Sequence, residues 1–306
     1  MWQVCFVLIT FLLPALQPQG LRVQEIGAGL YAYISANDAS ANATFLVSDQ
    51  GVLVVDTGLN EQEGQKLLEE IRKTSSRPVR WIVNTHYHPD HRGGNTVVGP
   101  DAVVISTAFT REQVLRSREE PTRKKGQEHA LNYTLNQITG FTPGDQGALS
   151  LVFGGHEVRI YHPGPAHTRG DLVVYFPEQQ AIVTGDLFLN GSCPAMDDGD
   201  MENWVGALDH ILDLPVEHVV PGHFALATKT ELRHFRDYLA DLREQVSRMS
   251  SRGMTLAEVK KRLNPGPYKD LRQFPQYEAT FADNATAYYQ QLQARASRSR
   301  EPKQKQ

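Results

Sequence analysis

Short apolar runs separated by turn residues set the pattern of the chain from Leu30 onward. Leu30-Tyr31-Ala32-Tyr33-Ile34, Thr44-Phe45-Leu46-Val47 and Val52-Leu53-Val54-Val55 are rich in β-branched and aromatic side chains and predict three strands. Gly51 between the last two predicts a hairpin. The spacing then lengthens: Glu61 to Lys73 gathers Leu67, Leu68 and Ile71 on one helical face. Val79 to Val83 returns to strand character and delivers the chain to a histidine-rich run. Gly93 and Gly94 open a short helix, and Ala102 to Ile105 predicts another strand. The charged segment Arg111 to Lys125 predicts a solvated helix and connection rather than a binding patch.

A second β-rich series follows. Leu149 to Phe153, Val158 to Tyr161, Leu172 to Phe176 and Ala181 to Thr184 predict strands, and Trp204 to Leu212 a helix. The short strand Val219-Val220 leads into Pro221-Gly222-His223. Beyond Thr228 the pattern is helical to about Leu292, with a break at Asn264-Pro265-Gly266-Pro267. Two successive β-rich halves, each followed by helices, predict an α/β fold in which two sheets form a sandwich covered by helices on both outer faces. The expected division is residues 21–226 as one catalytic domain, 227–296 as a helical extension packed on it, and the polar, basic 297–306 as a disordered tail.

Composition narrows the partners. The chain has 306 residues, 40% hydrophobic and 22% charged, an ordinary globular balance with ample core material. A net charge of -4 gives no electrostatic reason to expect nucleic acid, which weakens a nuclease reading. Val4 to Leu16 is apolar, broken only by Thr10 and Pro14, and is shorter than the ~20 residues that span a bilayer. With Pro14, Ala15 and Gly20 marking a processing region, residues 1–20 read as a secretory signal, although no Lys or Arg precedes the apolar run. The expected location is periplasmic or secreted, with no stable membrane insertion of the mature chain. Removing that segment leaves Cys193 as the lone cysteine, expected to be a partly buried free thiol.

The candidate chemistry begins in Thr85-His86-Tyr87-His88-Pro89-Asp90-His91, four potential metal ligands within six residues. It continues at His167, Asp186 and His223, each near a Gly or Pro at the end of an apolar run. Zinc accepts imidazole nitrogen and carboxylate oxygen, and a catalytic zinc keeps a position open for water. Residues 86, 88, 90 and 91 cannot share one face of a regular helix or strand, so they suit a loop folded around two metals. The six remaining histidines of the chain (His129, His156, His162, His210, His218 and His234) lack such company and read as packing residues. Asn42, Asn132, Asn190 and Asn284 begin three-residue glycosylation matches, a pattern common by chance.

These residues, with Asp56 in Val54-Val55-Asp56-Thr57-Gly58, His167 in Pro165-Ala166-His167-Thr168-Arg169-Gly170-Asp171, and Asp186 in Thr184-Gly185-Asp186, resemble the motifs of the metallo-β-lactamase superfamily in family order. The resemblance covers roughly Leu21 to Leu226 and implies an αββα sandwich. Carried over, it implies that His86, His88 and His167 hold a first Zn2+ and that Asp90, His91 and His223 hold a second. Asp186 bridges them; iron or manganese are the alternative metals. Asp56 and Asp171 are expected to accept imidazole N–H bonds behind the ligands, with capping of the turns at Gly58 and Gly170 as the competing role.

An Asp at position 186 resembles the glyoxalase II and lactonase branches, whereas dedicated zinc β-lactamases usually place a Cys there or lack the bridging acid. The Gly-Asp after the His167 motif and the stretch from Trp204 to His223 look more like exported class B β-lactamase-like hydrolases. The implied activity is attack of a bridging hydroxide on an ester, thioester, lactone or β-lactam carbonyl of a small molecule, with Asp90 orienting or deprotonating the nucleophile. One competing reading is a mononuclear iron persulfide dioxygenase; another is a non-catalytic exported metal-binding protein. Tyr87, Phe188, Met196 and Trp204 are candidates for lining a pocket. The oligomeric state is not legible.

Overall fold

The computed structural model describes residues 22–119, 137–141, 149–196, 198–272 and 277–300. The expected signal segment with Cys5, residues 120–125 of the charged run, His129, the sequon at Asn132 and residues 301–306 lie outside them.

Two sheets stand face to face. In the first, β1 (Arg22–Gly27), β2 (Leu30–Ile34), β3 (Ala43–Ser48) and β4 (Gly51–Val55) are antiparallel neighbours in chain order. β5 (Val79–Val83), β6 (Val103–Ile105) and β7 (Gln137–Ile138) continue that sheet in parallel. In the second, β8 (Leu149–Phe153), β9 (His156–Tyr161), β10 (Val173–Phe176) and β11 (Ala181–Leu189) are antiparallel, and β12 (His218–His223) adds parallel to β11.

Strand side chains alternate between faces, and that alternation builds three stacked cores. Leu53 and Val55 of β4 point inward to meet Val174 and Phe176 of β10 between the sheets. Their neighbours Val52 and Val54 point outward against Leu67 and Ile71 of α1 (Glu61–Thr74) and Val114 of α4 (Ala108–Glu119). On the opposite face Val173 and Tyr175 pack with the C-terminal helices. These are α5 (Met201–Asp213), α6 (Lys229–Ser251), α7 (Leu256–Arg262) and α8 (Tyr277–Arg300), which bring Trp204, Phe235, Val259 and Tyr288 into one cluster. Each fully buried aliphatic or aromatic side chain contributes about 1.5–3 kcal/mol. The order is therefore helix, sheet, sheet, helix, with the extra helices joined to the second outer core. Among the described residues no helix is long and apolar enough to cross a membrane.

Four differences from the sequence reading have physical causes. β1 was not expected; only Ile26 of its hydrophobic residues is buried, so this edge strand carries no apolar run. Gly93 and Gly94 do not open one helix. They separate two single turns, α2 (Pro89–Arg92) and α3 (Asn95–Val98), with Gly94 as the N-cap of the second. The expected disordered tail begins too early: α8 continues to Arg300, and Ser297 Oγ donates to Gln293 O at 3.0 Å within it. Cys193 is fully rather than partly buried, and free. The sequons at Asn42 and Asn284 are closed, because both side chains are buried and hydrogen-bonded.

Candidate metal centre

All seven predicted ligands meet at one end of the sandwich. β5 ends at Val83 and releases the loop with His86 and His88; Asp90 and His91 follow in the single turn α2. His167 comes from the loop between β9 and β10, and β12 ends on His223. Asp186 lies within β11, which was expected to stop at Thr184. The strand survives because Gly185 takes a positive φ of 52° and shifts the register against β12, a bulge that re-aims the next side chain. Gly222 completes the fit: a β-carbon there would stand 2.0 Å from Asp186 Oδ1.

Two donor sets form, sharing Asp186. His86, His88, His167 and Asp186 offer ligand atoms all within 4.8 Å of one another, as do Asp90, His91, Asp186 and His223. In the first, His88 Nδ1 lies 2.9 Å from His86 Nε2 and 3.2 Å from His167 Nε2, and His167 Nε2 lies 3.5 Å from Asp186 Oδ2. In the second, His91 Nε2 is 3.1 Å from Asp186 Oδ1 and 3.5 Å from Asp90 Oδ2, while His223 Nε2 is 3.1 Å from Asp90 Oδ2. Zinc–nitrogen and zinc–oxygen bonds of about 2.0–2.1 Å put tetrahedral corners about 3.4 Å apart. The observed separations bracket that value.

The atoms behind the ligands turn the ring lone pairs inward. Asp56 Oδ2 accepts from His91 Nδ1 at 2.8 Å and from Thr85 Oγ1 at 2.7 Å, and its Oδ1 accepts from Thr85 N at 2.8 Å. With its hydrogen committed to Asp56, Thr85 Oγ1 is left to accept from His86 Nδ1 at 3.2 Å. His223 Nδ1 faces Asp38 O at 3.0 Å, and His167 Nδ1 faces Ala195 O at 3.2 Å. Each of these four rings therefore aims Nε2 at the centre. Asp171 does not do this. It accepts from Thr168 N at 2.9 Å and from Thr168 Oγ1 at 2.6 Å, bracing the turn that carries His167. Burial pushes the Asp171 carboxyl up to about 7 against those donors.

Buried orphan atoms mark where a cation fits. His91 Nε2 and Asp186 Oδ1 are shielded from water and have only each other, 3.1 Å apart, a costly state unless a proton or a cation stands between them. Burial and the neighbouring imidazoles hold His86 well below its usual range, and burial lowers His167 to about 4, so both present neutral lone pairs. At the second set burial pushes His91 down, but Asp186, Asp56 and Asp90 overcome it and raise it well above normal. His223 is raised too: burial lowers it, and Asp186 and Asp90 more than compensate. Concentrated carboxylate charge there demands positive charge, which a divalent ion supplies as well as protons do.

The sequence model of the metallo-beta-lactamase superfamily matches residues 36–223. The chain belongs to that superfamily. It is 25% identical over 236 residues to a metallo-beta-lactamase type 2 of Elizabethkingia meningoseptica, covering 74% of this chain and 87% of that protein. It is 26% identical over 214 residues to the type 2 enzyme of Bacillus cereus, covering 68% and 76%. Among solved structures, a metallo-beta-lactamase from Pontibacter korlensis superposes with a TM-score of 0.59 at 22% identity, covering 72% of this chain and 99% of the other. The αββα arrangement read from the strands is thus the fold of the superfamily, and this member is a β-lactamase-like metallo-hydrolase.

The other pocket candidates divide. Trp204 is fully buried behind His167, its ring centroid 5.6 Å away and its Nε1 donating to Leu187 O at 2.9 Å. Phe188 and Met196 belong to the core, Phe188 packing on Phe235. Tyr87 is half-buried against the outer core of the first sheet, edge-on to Phe109, with its hydroxyl donating to Asp198. Sequence reasoning missed Asn42, whose Nδ2 donates to Pro221 O at 3.0 Å and Phe224 O at 2.8 Å, pinning the His223 turn to the first sheet. Its sequon was the visible signal and pointed elsewhere.

Proposed function

We propose that this superfamily member is a dinuclear zinc hydrolase that cleaves an ester, thioester, lactone or β-lactam carbonyl in a small molecule. The observation that carries this reading is the pair of donor sets sharing Asp186, one with three imidazoles and one with two imidazoles and a further carboxylate. His86, His88 and His167 would hold one ion, Asp90, His91 and His223 the other, and Asp186 both. A divalent pair there supplies an acidified water and polarisation of the target carbonyl.

The protein's own groups supply the rest. The three imidazoles of the first set are neutral donors, so an ion held there would keep most of its charge to acidify a water, with the shared Asp186 carboxylate as its one anionic donor. The Asp90 side chain is more exposed than that of Asp186, 23% against 10%, and so is the carboxylate placed to orient a water and take its proton. Asp56 and Thr85 hold His91 and His86 in single ring orientations, and Trp204 closes the rear of His167 to water. The acidic net charge supports a small-molecule substrate over nucleic acid. The apolar pattern of Val4 to Leu16 supports export.

The deciding experiment is turnover by the metal-loaded chain across nitrocefin, lactones and acyl-thioesters, with Asp90→Asn alongside. Hydrolysis of at least one class, lowered roughly 10²–10⁴-fold in the variant with its fold intact, is expected. Cleavage of none would favour a non-catalytic metal-binding role. One iron per chain with oxygen consumption would favour the persulfide dioxygenase.

A further inference from the structure

Beside the metal centre lies a cleft of ≈ 430 Å³, within the size range of small-molecule sites, between the His167 loop and the last turns of α8. It adjoins the centre through named contacts. Pro165 and Arg169 flank His167, Asp200 N donates to Ala166 O at 2.8 Å, and Asp198 takes the hydroxyl of Tyr87, which sits between two ligands.

The α8 wall is fixed in place. Gln291 Nε2 donates to Gly199 O at 2.6 Å, and Arg295 Nη2 donates to both Asp200 oxygens at 2.8 and 3.0 Å. Gln291, Arg295 and Arg298 recur at i, i+4 and i+7, so the contacts made by the first two hold the third over the same cleft. Arg169 faces it from the opposite wall. The charges do not cancel: Arg169, Arg295 and Arg298 line the cleft with only Asp198 and Asp200 against them, Arg295 pairing with Asp200, so one positive charge is left over. The guanidiniums of Arg169 and Arg298 pair with no carboxylate among the described residues, and both are exposed. Two planar, permanently charged forks converging on a cleft suit an oxyanion.

We propose that Arg169 and Arg298 form an anion subsite that holds a carboxylate or phosphate of the substrate while its carbonyl lies at the metal centre. The anion-binding part stands on this geometry alone. Its assignment to substrate rests on the hydrolase reading above, and makes the substrate a negatively charged carbonyl compound.

The test follows the Nε–Hε resonances of the arginines in the full-length chain by NMR, with and without chelation of metals. The probes are glutarate, inorganic phosphate and uncharged glutaramide. Arg169 and Arg298 are expected to shift saturably with an anion in both metal states, while glutaramide moves neither and the remote, exposed Arg77 stays put. Response to glutarate alone assigns a carboxylate; response to phosphate alone assigns a phosphate. Arg169→Gln and Arg298→Gln should each weaken binding roughly tenfold, the worth of one charge-assisted contact near solvent. In turnover, each variant should lower the preference for a carboxylated substrate over its neutral analogue by a similar factor. Absence of any shift at both arginines, or unchanged affinity in both variants, overturns the subsite. Anion binding without turnover of any substrate would leave the subsite standing and count against the hydrolase.

Discussion

Gly222→Ala isolates the packing that lets one carboxylate serve two donor sets. The added β-carbon would stand 2.0 Å from Asp186 Oδ1, 2.8 Å from Gly185 C and 3.0 Å from Asp186 N. Carbon–oxygen contacts relax near ~3.3 Å, so the carboxylate must retreat by more than about 1 Å. The backbone atoms on the same side block an easy rotation. Gly222 is not among the residues with positive φ, so alanine adds bulk without backbone strain. Metal–ligand distances tolerate only about 0.2 Å, so on the proposed two-ion reading displacing Asp186 would strip a ligand from both ions at once. The loss of affinity should exceed the roughly 10–100-fold seen when a mere supporting partner is removed, and overpacking should cost about 1–3 kcal/mol of stability. The assay is metal content after dialysis against a graded chelator, with circular dichroism to confirm the fold. Gly206→Ala is the control: nothing lies within 4 Å of its added carbon, and in the middle of α5 it should stabilise by about 0.5–1 kcal/mol. If Gly222→Ala holds both metals with affinity within a few-fold of the parent, the shared-carboxylate argument is wrong.

Three further outcomes follow from the same contacts. Asp56→Asn keeps the shape but replaces one of two acceptor oxygens with a donor, facing either Thr85 N or His91 Nδ1, so affinity for one ion should fall roughly 10–100-fold; an unchanged chelator titration would refute it. Chelating the metals should lower Tm by roughly 5–15 °C, with recovery on adding zinc, because binding to the native state alone stabilises it; a Tm indifferent to the chelator contradicts that coupling. Burial raises the Cys193 thiol from 9.0 to about 12, so it should resist thiol reagents at pH 8 until the chain is unfolded. Its folded pKa is the higher one, so its contribution to stability is complete below pH 9 and disappears as pH climbs toward 12; rapid labelling of the native protein would disprove this.

What could be read in advance was whatever the side-chain type declares. Seven residues with metal-binding chemistry stood in a fixed order, and the structure draws them into one cluster. The inward and outward alternation of Val52 to Val55 was equally legible, since neighbouring apolar residues in one strand must serve two cores. Much of the support was hidden because it comes from backbone. Asp38 O and Ala195 O, which face His223 and His167, could be any residue. Asp171 illustrates the opposite limit: its proximity to His167 in sequence was plain, but only coordinates show it serving Thr168 instead of a ring nitrogen. The extension of β11 through Asp186 was masked by Gly185, which reads as a strand end and acts as a bulge. The helical wall formed by Gln291, Arg295 and Arg298 was only partly legible: Gln291 fell in the expected helix and Arg298 in the expected disordered tail, and the contacts of Gln291 and Arg295 with Gly199 and Asp200 needed coordinates.

The most direct test is an anomalous difference map collected at the zinc edge from crystals of the zinc-loaded chain. Two peaks are predicted about 3.5–4 Å apart, one bonded to His86, His88 and His167, the other to Asp90, His91 and His223, with Asp186 reaching both. A single peak, or zinc held anywhere else on the molecule, would contradict the two-ion centre on which the proposed chemistry depends.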